Sequence, residues 1–121
     1  MSKARAQRVC FYARCFLSPA PPCECFHEQI ARARHWCAER GATLVDLVVE
    51  DLVGIEAFNR PRFNVMLSRT HRLPVPFDVL LVDTRRHFSR STRRLTYSAE
   101  CLRRQGIRLE AIADKIPANL A

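Results

Sequence analysis

The run Phe77-Asp78-Val79-Leu80-Leu81-Val82 constrains the fold more than any other segment. It is nearly continuous in apolar side chains, with Pro74 and Pro76 before it and Asp83 after it. A strand this apolar is shielded on both faces, which is the situation of a central strand in a parallel sheet covered by helices. Parallel strands need crossover segments, and the rest of the chain supplies them. Arg8 to Ala13 alternates in strand fashion, Val9, Phe11 and Ala13 facing one way and Cys10 and Tyr12 the other. Pro19, Pro21 and Pro22 make the segment from Cys15 to Cys23 a loop, and from Glu24 the period becomes helical, with Phe26, Ile30, Ala33 and Cys37 on one face, Arg32, Arg34 and Glu39 off it, and Gly41 as the stop. Ala42 to Val49 reads as a second strand running into Glu50 and Asp51. Asn59 caps a helix that accepts Pro61 in its first turn and repeats Phe63, Met66, Leu67 and Thr70. After the central strand, Ser91 or Thr92 starts a third helix with Leu95, Ala99 and Leu102 inward, Gly106 closes it, and Ile107 to Ala113 is the last strand.

This order predicts an α/β fold: a three-layer sandwich with a mostly parallel sheet of four to five strands and helices on both faces. The expected organisation is a flexible start at 1–7, one domain at 8–114, and a short tail at 115–121 in which Pro117 leaves too little room for a long helix. With 121 residues and 48% apolar content, one core forms without a metal or disulfide staple. Active loops in such sheets lie beyond the carboxyl ends of the strands, here residues 14–25, 50–60 and 83–94.

Twenty Lys and Arg against twelve Asp and Glu leave a formal charge of +8, which favours a polyanionic partner over an acidic small molecule. The bland explanation is an arginine-rich genome. Arginine outnumbers lysine, and its planar fork holds phosphate oxygens two at a time. The six cysteines match neither zinc knuckles nor a secreted framework, so they read as small apolar side chains in a reducing cytoplasm. No cofactor or metal is expected, although Cys23 and Cys25 leave a soft-metal pair open. No apolar run approaches the length of a membrane span.

Three stretches carry the chemistry: Tyr12-Ala13-Arg14, then Asn59-Arg60-Pro61-Arg62-Phe63, then Ser89-Arg90. Taken in order with Gln29 and Asp51, they resemble the catalytic domain of the serine recombinases, the resolvases and invertases. That family shows Y-x-R-x-S at the end of its first strand, a glutamine entering the next helix, an acidic residue before R-P-x-F, and D-R-x-S-R after a later strand. The resemblance spans residues 8 to 114. It implies a serine that attacks a DNA phosphodiester while Arg14, Arg60 and Arg90 face the scissile phosphate, with Tyr12 and Asp51 as retained family positions. It also implies a long dimerising helix and a DNA-reading domain, which 115–121 does not encode.

The pattern fails at the nucleophile. Counting from Tyr12, the serine slot is Phe16, whose ring has no lone pair to attack with. Ser18 lies two residues on, roughly 7 Å in extended chain, beyond the tolerance of an attacking group. In the last motif the family's Asp and first Arg fall on Arg86 and His87, so a carboxylate becomes a cation and a fixed guanidinium becomes a titratable imidazole.

The expected function is therefore a serine recombinase-like domain without covalent chemistry. It acts by binding DNA phosphates through Arg14, Arg60, Arg86, Arg90, Arg93 and Arg94, or by binding an intact recombinase or itself. Two other readings stay open: an active recombinase or nickase using Ser18 or Tyr12, and an interaction or remnant domain without DNA affinity. Several plainer roles also stay open. Arg93, Arg94, Arg103 and Arg104 are a solvated helix face, Asp51 neutralises Arg14 or Arg60, Tyr12 packs with a polar tip, and His87 is a polar loop residue. Exposed Trp36, Phe16 or Leu17 would mark a protein contact.

Overall fold

The computed structural model describes residues 6–14, 22–50, 61–89 and 91–114, of which 22–25 as backbone alone. Strand β1, Arg8–Arg14, is buried from Val9 onward, because it has a strand on either side and helices above and below. Helix α1, Pro22–Arg40, ends at Gly41, whose φ of 64° is the left-handed geometry that glycine adopts without a Cβ penalty. Strand β2 is Thr43–Glu50 and helix α2 is Pro61–Arg69. Strand β3, Val79–Val82, is completely buried. A single turn, α3, covers Arg85–Phe88, and helix α4, Thr92–Arg104, follows with Ser91 accepting a hydrogen bond from the Arg94 amide. Gly106, at φ 85°, turns the chain into β4, Arg108–Ala111.

The four strands are all parallel in the order β2-β1-β3-β4, so β1 and β3 are interior and β2 and β4 are edges. Alternation along the strands then builds two cores. Val9, Phe11, Ala13, Val79 and Leu81 meet Phe26, Ala33, Trp36 and Cys37 of α1 on one face. Cys10, Tyr12, Leu80 and Val82 meet Phe63 and Met66 of α2, Phe88 of α3, and Leu95 and Leu102 of α4 on the other. At the amino-terminal edge, Arg8 forks onto Asp78 with bonds of 3.2 and 3.0 Å and ties β1 to the start of β3.

The expected α/β sandwich stands, with corrections to its details. Helix α1 starts at Pro22 rather than Glu24, since proline at a first helical position forfeits no hydrogen bond. The strand expected from Phe77 begins at Val79, because the Asp78 carboxylate is held by Arg8 and the Asp78 amide by the Arg8 carbonyl. The last strand is 108–111, narrower than 107–113, and β2 is shifted by one residue to 43–50. The stretch 83–94 is not all loop, because α3 lies within it. Trp36 is 5% exposed under the Arg40 guanidinium, 4.1 Å from the ring centre, and therefore marks no protein contact.

Candidate functional site at the carboxyl edge of the sheet

The carboxyl ends of β1, β2 and β3 deliver Arg14, Glu50 and Asp83 to one edge, where parallel sheets build their sites. Each is fixed by a partner from another element. The Gln29 side chain, 1% exposed, brackets the main chain of Arg14: its amide nitrogen donates to the Arg14 carbonyl at 3.1 Å and its oxygen accepts from the Arg14 amide at 3.3 Å. Glu50, 2% exposed, accepts from the Tyr12 hydroxyl at 2.9 Å and from the Arg62 and Phe63 amides at 3.0 and 3.2 Å. A carboxylate at the start of α2 also complements the helix dipole. Asp83 holds Arg32 of α1 in a two-pronged pair of 2.8 and 2.7 Å, so α1 is clamped to the end of β3.

His87, on α3, is buried within this cluster. Its Nδ1 accepts from the Thr84 amide at 3.3 Å. Burial pulls the imidazole below its usual range, Arg14 and Arg32 pull in the same direction, and Asp83 and Asp114 oppose them. Asp114, beyond β4, accepts from the Arg85 amide at 2.8 Å and joins the fourth strand end to the cluster.

Several sequence expectations meet these observations directly. Tyr12 packs with a polar tip, 0% exposed and bonded to Glu50. Arg14 lies at the expected strand end but is buried, at 7% exposure. His87 is not a loop residue, because it belongs to α3 and its ring is enclosed. Arg86, Arg93, Arg94, Arg103 and Arg104 are all exposed, and Arg103 pairs with Glu100. Phe16, Leu17, Ser18, Asp51, Asn59, Arg60 and Arg90 lie outside the described residues, as do the side chains of Cys23 and Cys25. Glu50, Asp83 and Arg32 were missed by sequence reasoning. The signal for Glu50 was an acidic residue at a strand end ahead of a helix start, but the pattern pointed to its neighbour Asp51. Nothing in the sequence links Arg32 to a carboxylate 51 positions away.

Among the described residues, no group of three or more His, Cys, Asp or Glu is arranged to hold a metal ion. Burial pushes the Cys10 thiol up to about 12 and raises that of Cys37, which makes both inert apolar side chains. No helix among the described residues is long and apolar enough to cross a membrane.

A four-stranded parallel sheet with helices on both faces, and a hydrogen-bonded cluster of acidic and basic side chains at its carboxyl edge, defines an α/β domain of the resolvase type. The family described as "Resolvase, N terminal domain" matches residues 9–120, and the chain belongs to it. The fold is similar to the N-terminal catalytic domain of TP901-1 integrase, with a TM-score of 0.69 and 20% identity over 88% of this chain and 77% of that one. It is similar also to the C-terminal catalytic domain of IS1535 TnpA, an IS607-like serine recombinase, with a TM-score of 0.65 and 26% identity over 86% of this chain and 70% of that one. The catalytic domain of ISC1926 TnpA, another IS607-like serine recombinase, gives a TM-score of 0.63 at 20% identity over 88% and 70% of the two chains. No curated protein sequence matches.

Proposed function

We propose that this serine recombinase-type domain has lost the covalent step and acts by binding, to the phosphate backbone of DNA or to an intact recombinase. The observation that carries the reading is Phe16, four residues after Tyr12, where the family pattern asks for serine. A phenyl ring cannot form a phosphoester, and the neighbouring arginines cannot restore the missing oxygen.

The binding half of the reading is supported by the exposed arginines. Arg85 and Arg86 lie on α3, and Arg93 and Arg94 occupy the first turn of α4, which contains no acidic residue. Cations at a helix amino terminus oppose the dipole, at about 0.3–1 kcal/mol each. A phosphate held there satisfies both the helix end and the guanidiniums. Arg60 and Arg90 would add to the surface in the roles that the family pattern gives them, with the buried Arg14 behind it.

A salt titration of duplex DNA binding tests this half. Affinity is expected to fall steeply between about 50 and 200 mM salt, and a double Arg93→Ala, Arg94→Ala variant should reduce the slope of log affinity against log salt by about 2. Negligible binding at low salt removes the DNA reading and leaves a protein partner. Incubation with supercoiled plasmid tests the other half: no covalent adduct is expected, and an adduct abolished by Ser18→Ala would overturn the loss of catalysis.

A further inference from the structure

The ring of His87 is buried, and charges carried by four neighbouring segments act on it, while α2 packs on α3 through the uncharged Phe63–Phe88 contact. Arg14 comes from the end of β1, Arg32 from α1, Asp83 from the end of β3 and Asp114 from beyond β4. On α3 itself, Arg85 turns toward Asp114 and Arg86 faces solvent. Burial, the largest influence, disfavours the charged ring; Asp83 and Asp114 favour it, and Arg14 and Arg32 disfavour it. The bond from the Thr84 amide fixes Nδ1 as the acceptor, which puts the ring's proton on Nε2. An anion arriving at this edge adds negative charge beside the ring. The resulting field favours a second proton on the ring, whether or not the anion touches it.

We propose that His87 is a proton-linked anion-binding residue: a phosphate diester docking at the carboxyl edge is held more tightly when the imidazole is charged, so the domain grips nucleic-acid backbone better in mildly acidic solution. This rests on the phosphate-binding reading above. Where the family pattern has an arginine, which binds anions at any pH, this chain has a side chain whose charge must be supplied from solvent. Linkage is reciprocal: if protonation strengthens anion binding, the bound anion raises proton affinity by the same factor. Protonation also converts Nδ1 from acceptor to donor, so the Thr84 amide must release it. The turn at the start of α3 is therefore expected to rearrange on binding, at the segment that carries Arg85 and Arg86.

The experiment measures binding of the full chain to a short mixed-sequence duplex by fluorescence anisotropy, at fixed ionic strength, from pH 7.5 to 5.5. The unmodified chain is expected to bind a few-fold tighter at the acidic end, approaching the full factor by which the bound anion raises the ring's proton affinity only as pH falls below the lowered range of the free ring. His87→Gln should lose that gain. His87→Arg should bind at pH 7.5 at least as tightly as the unmodified chain does at pH 5.5. His27, His35 and His71 are exposed and present in every variant, so a gain that survives His87→Gln belongs to them and overturns the proposal. Calorimetry of the unmodified chain at pH 6.5, in two buffers of different ionisation enthalpy, provides a readout that needs no variant: proton uptake on binding is expected, and zero uptake overturns the proposal. Binding without pH dependence defeats only the role of His87. Absence of binding by every variant at every pH defeats the phosphate-surface reading with it.

Discussion

Three donors converge on the Glu50 carboxylate in a site with almost no water: the Tyr12 hydroxyl and two amides that begin α2. Replacement by alanine orphans all three, and hydrogen bonds to a buried charge are worth about 1.5–3 kcal/mol each. Glu50→Ala is therefore expected to cost about 3 kcal/mol or more in urea denaturation, whereas Glu50→Gln keeps one acceptor and should cost less. A loss below about 0.5 kcal/mol for the alanine variant, the range of an ordinary surface substitution, would show that the carboxylate is not the joint between β2 and α2. His87 gives a pH test of opposite character. Its folded-state proton affinity is lowered, so as pH falls through about 6.5, the ordinary imidazole value, the unfolded chain takes the proton first and native stability declines. That component is fully present in the neutral range, and His87→Gln should remove the slope between about pH 6.5 and 5. Legibility at this scale was uneven. Tyr12 and Gln29 sit as their pattern positions implied, because short-range alternation and helix phase decide them. Glu50 and the Arg32–Asp83 pair were not legible, because which carboxylate meets which donor depends on how α1 and α2 settle on the sheet.

Elements were read well wherever a single period ran long enough. The apolar phase of α1, the Ser91 cap of α4 and the stops at Gly41 and Gly106 all follow from local chemistry. The one-turn α3 was illegible, since four residues carry no usable periodicity and its cap is completed by the side chain of His87. Strand β2 shows a further element-level feature. It is an edge strand with Val45 46% exposed, the profile that invites pairing with another chain. Its register against β1 shifts at Val45, an irregularity that roughens the edge. Side chains occupy two of its backbone groups: Asp46 Oδ1 accepts from the Leu47 amide at 2.8 Å, and the Arg62 guanidinium donates to the Val49 carbonyl at 3.0 Å. Removing both side-chain partners, in Asp46→Ala with Arg62→Ala, should free these groups for a second strand. Self-association is the expected outcome, measured by light scattering at rising concentration. A double variant as monodisperse as the unmodified chain would show that other features guard the edge.

For the molecule as a whole, the charge of +8 and the fold act against each other. Two apolar cores, one on each face of a four-stranded sheet, hold the layers together. The basic surface, by contrast, repels itself, and Arg86, Arg93 and Arg94 are exposed on it. A polyanion binding only the folded chain relieves that repulsion and stabilises the fold by mass action, by about 2.7 kcal/mol at a hundredfold excess over its dissociation constant. For a domain of this size that corresponds to a rise of roughly 10 °C in melting temperature. Scanning unfolding with and without duplex DNA measures it, and the gain should collapse when salt is raised enough to screen the phosphates. The same scan divides the two explanations of the charge. If arginine content reflects only genome composition, the cations are spread without a common ligand, and duplex DNA at low salt should leave the melting temperature where it was. If they form a phosphate surface, the rise in melting temperature is observed, and it shrinks in the Arg93→Ala, Arg94→Ala variant, whose altered side chains are exposed and therefore cost the unliganded fold little.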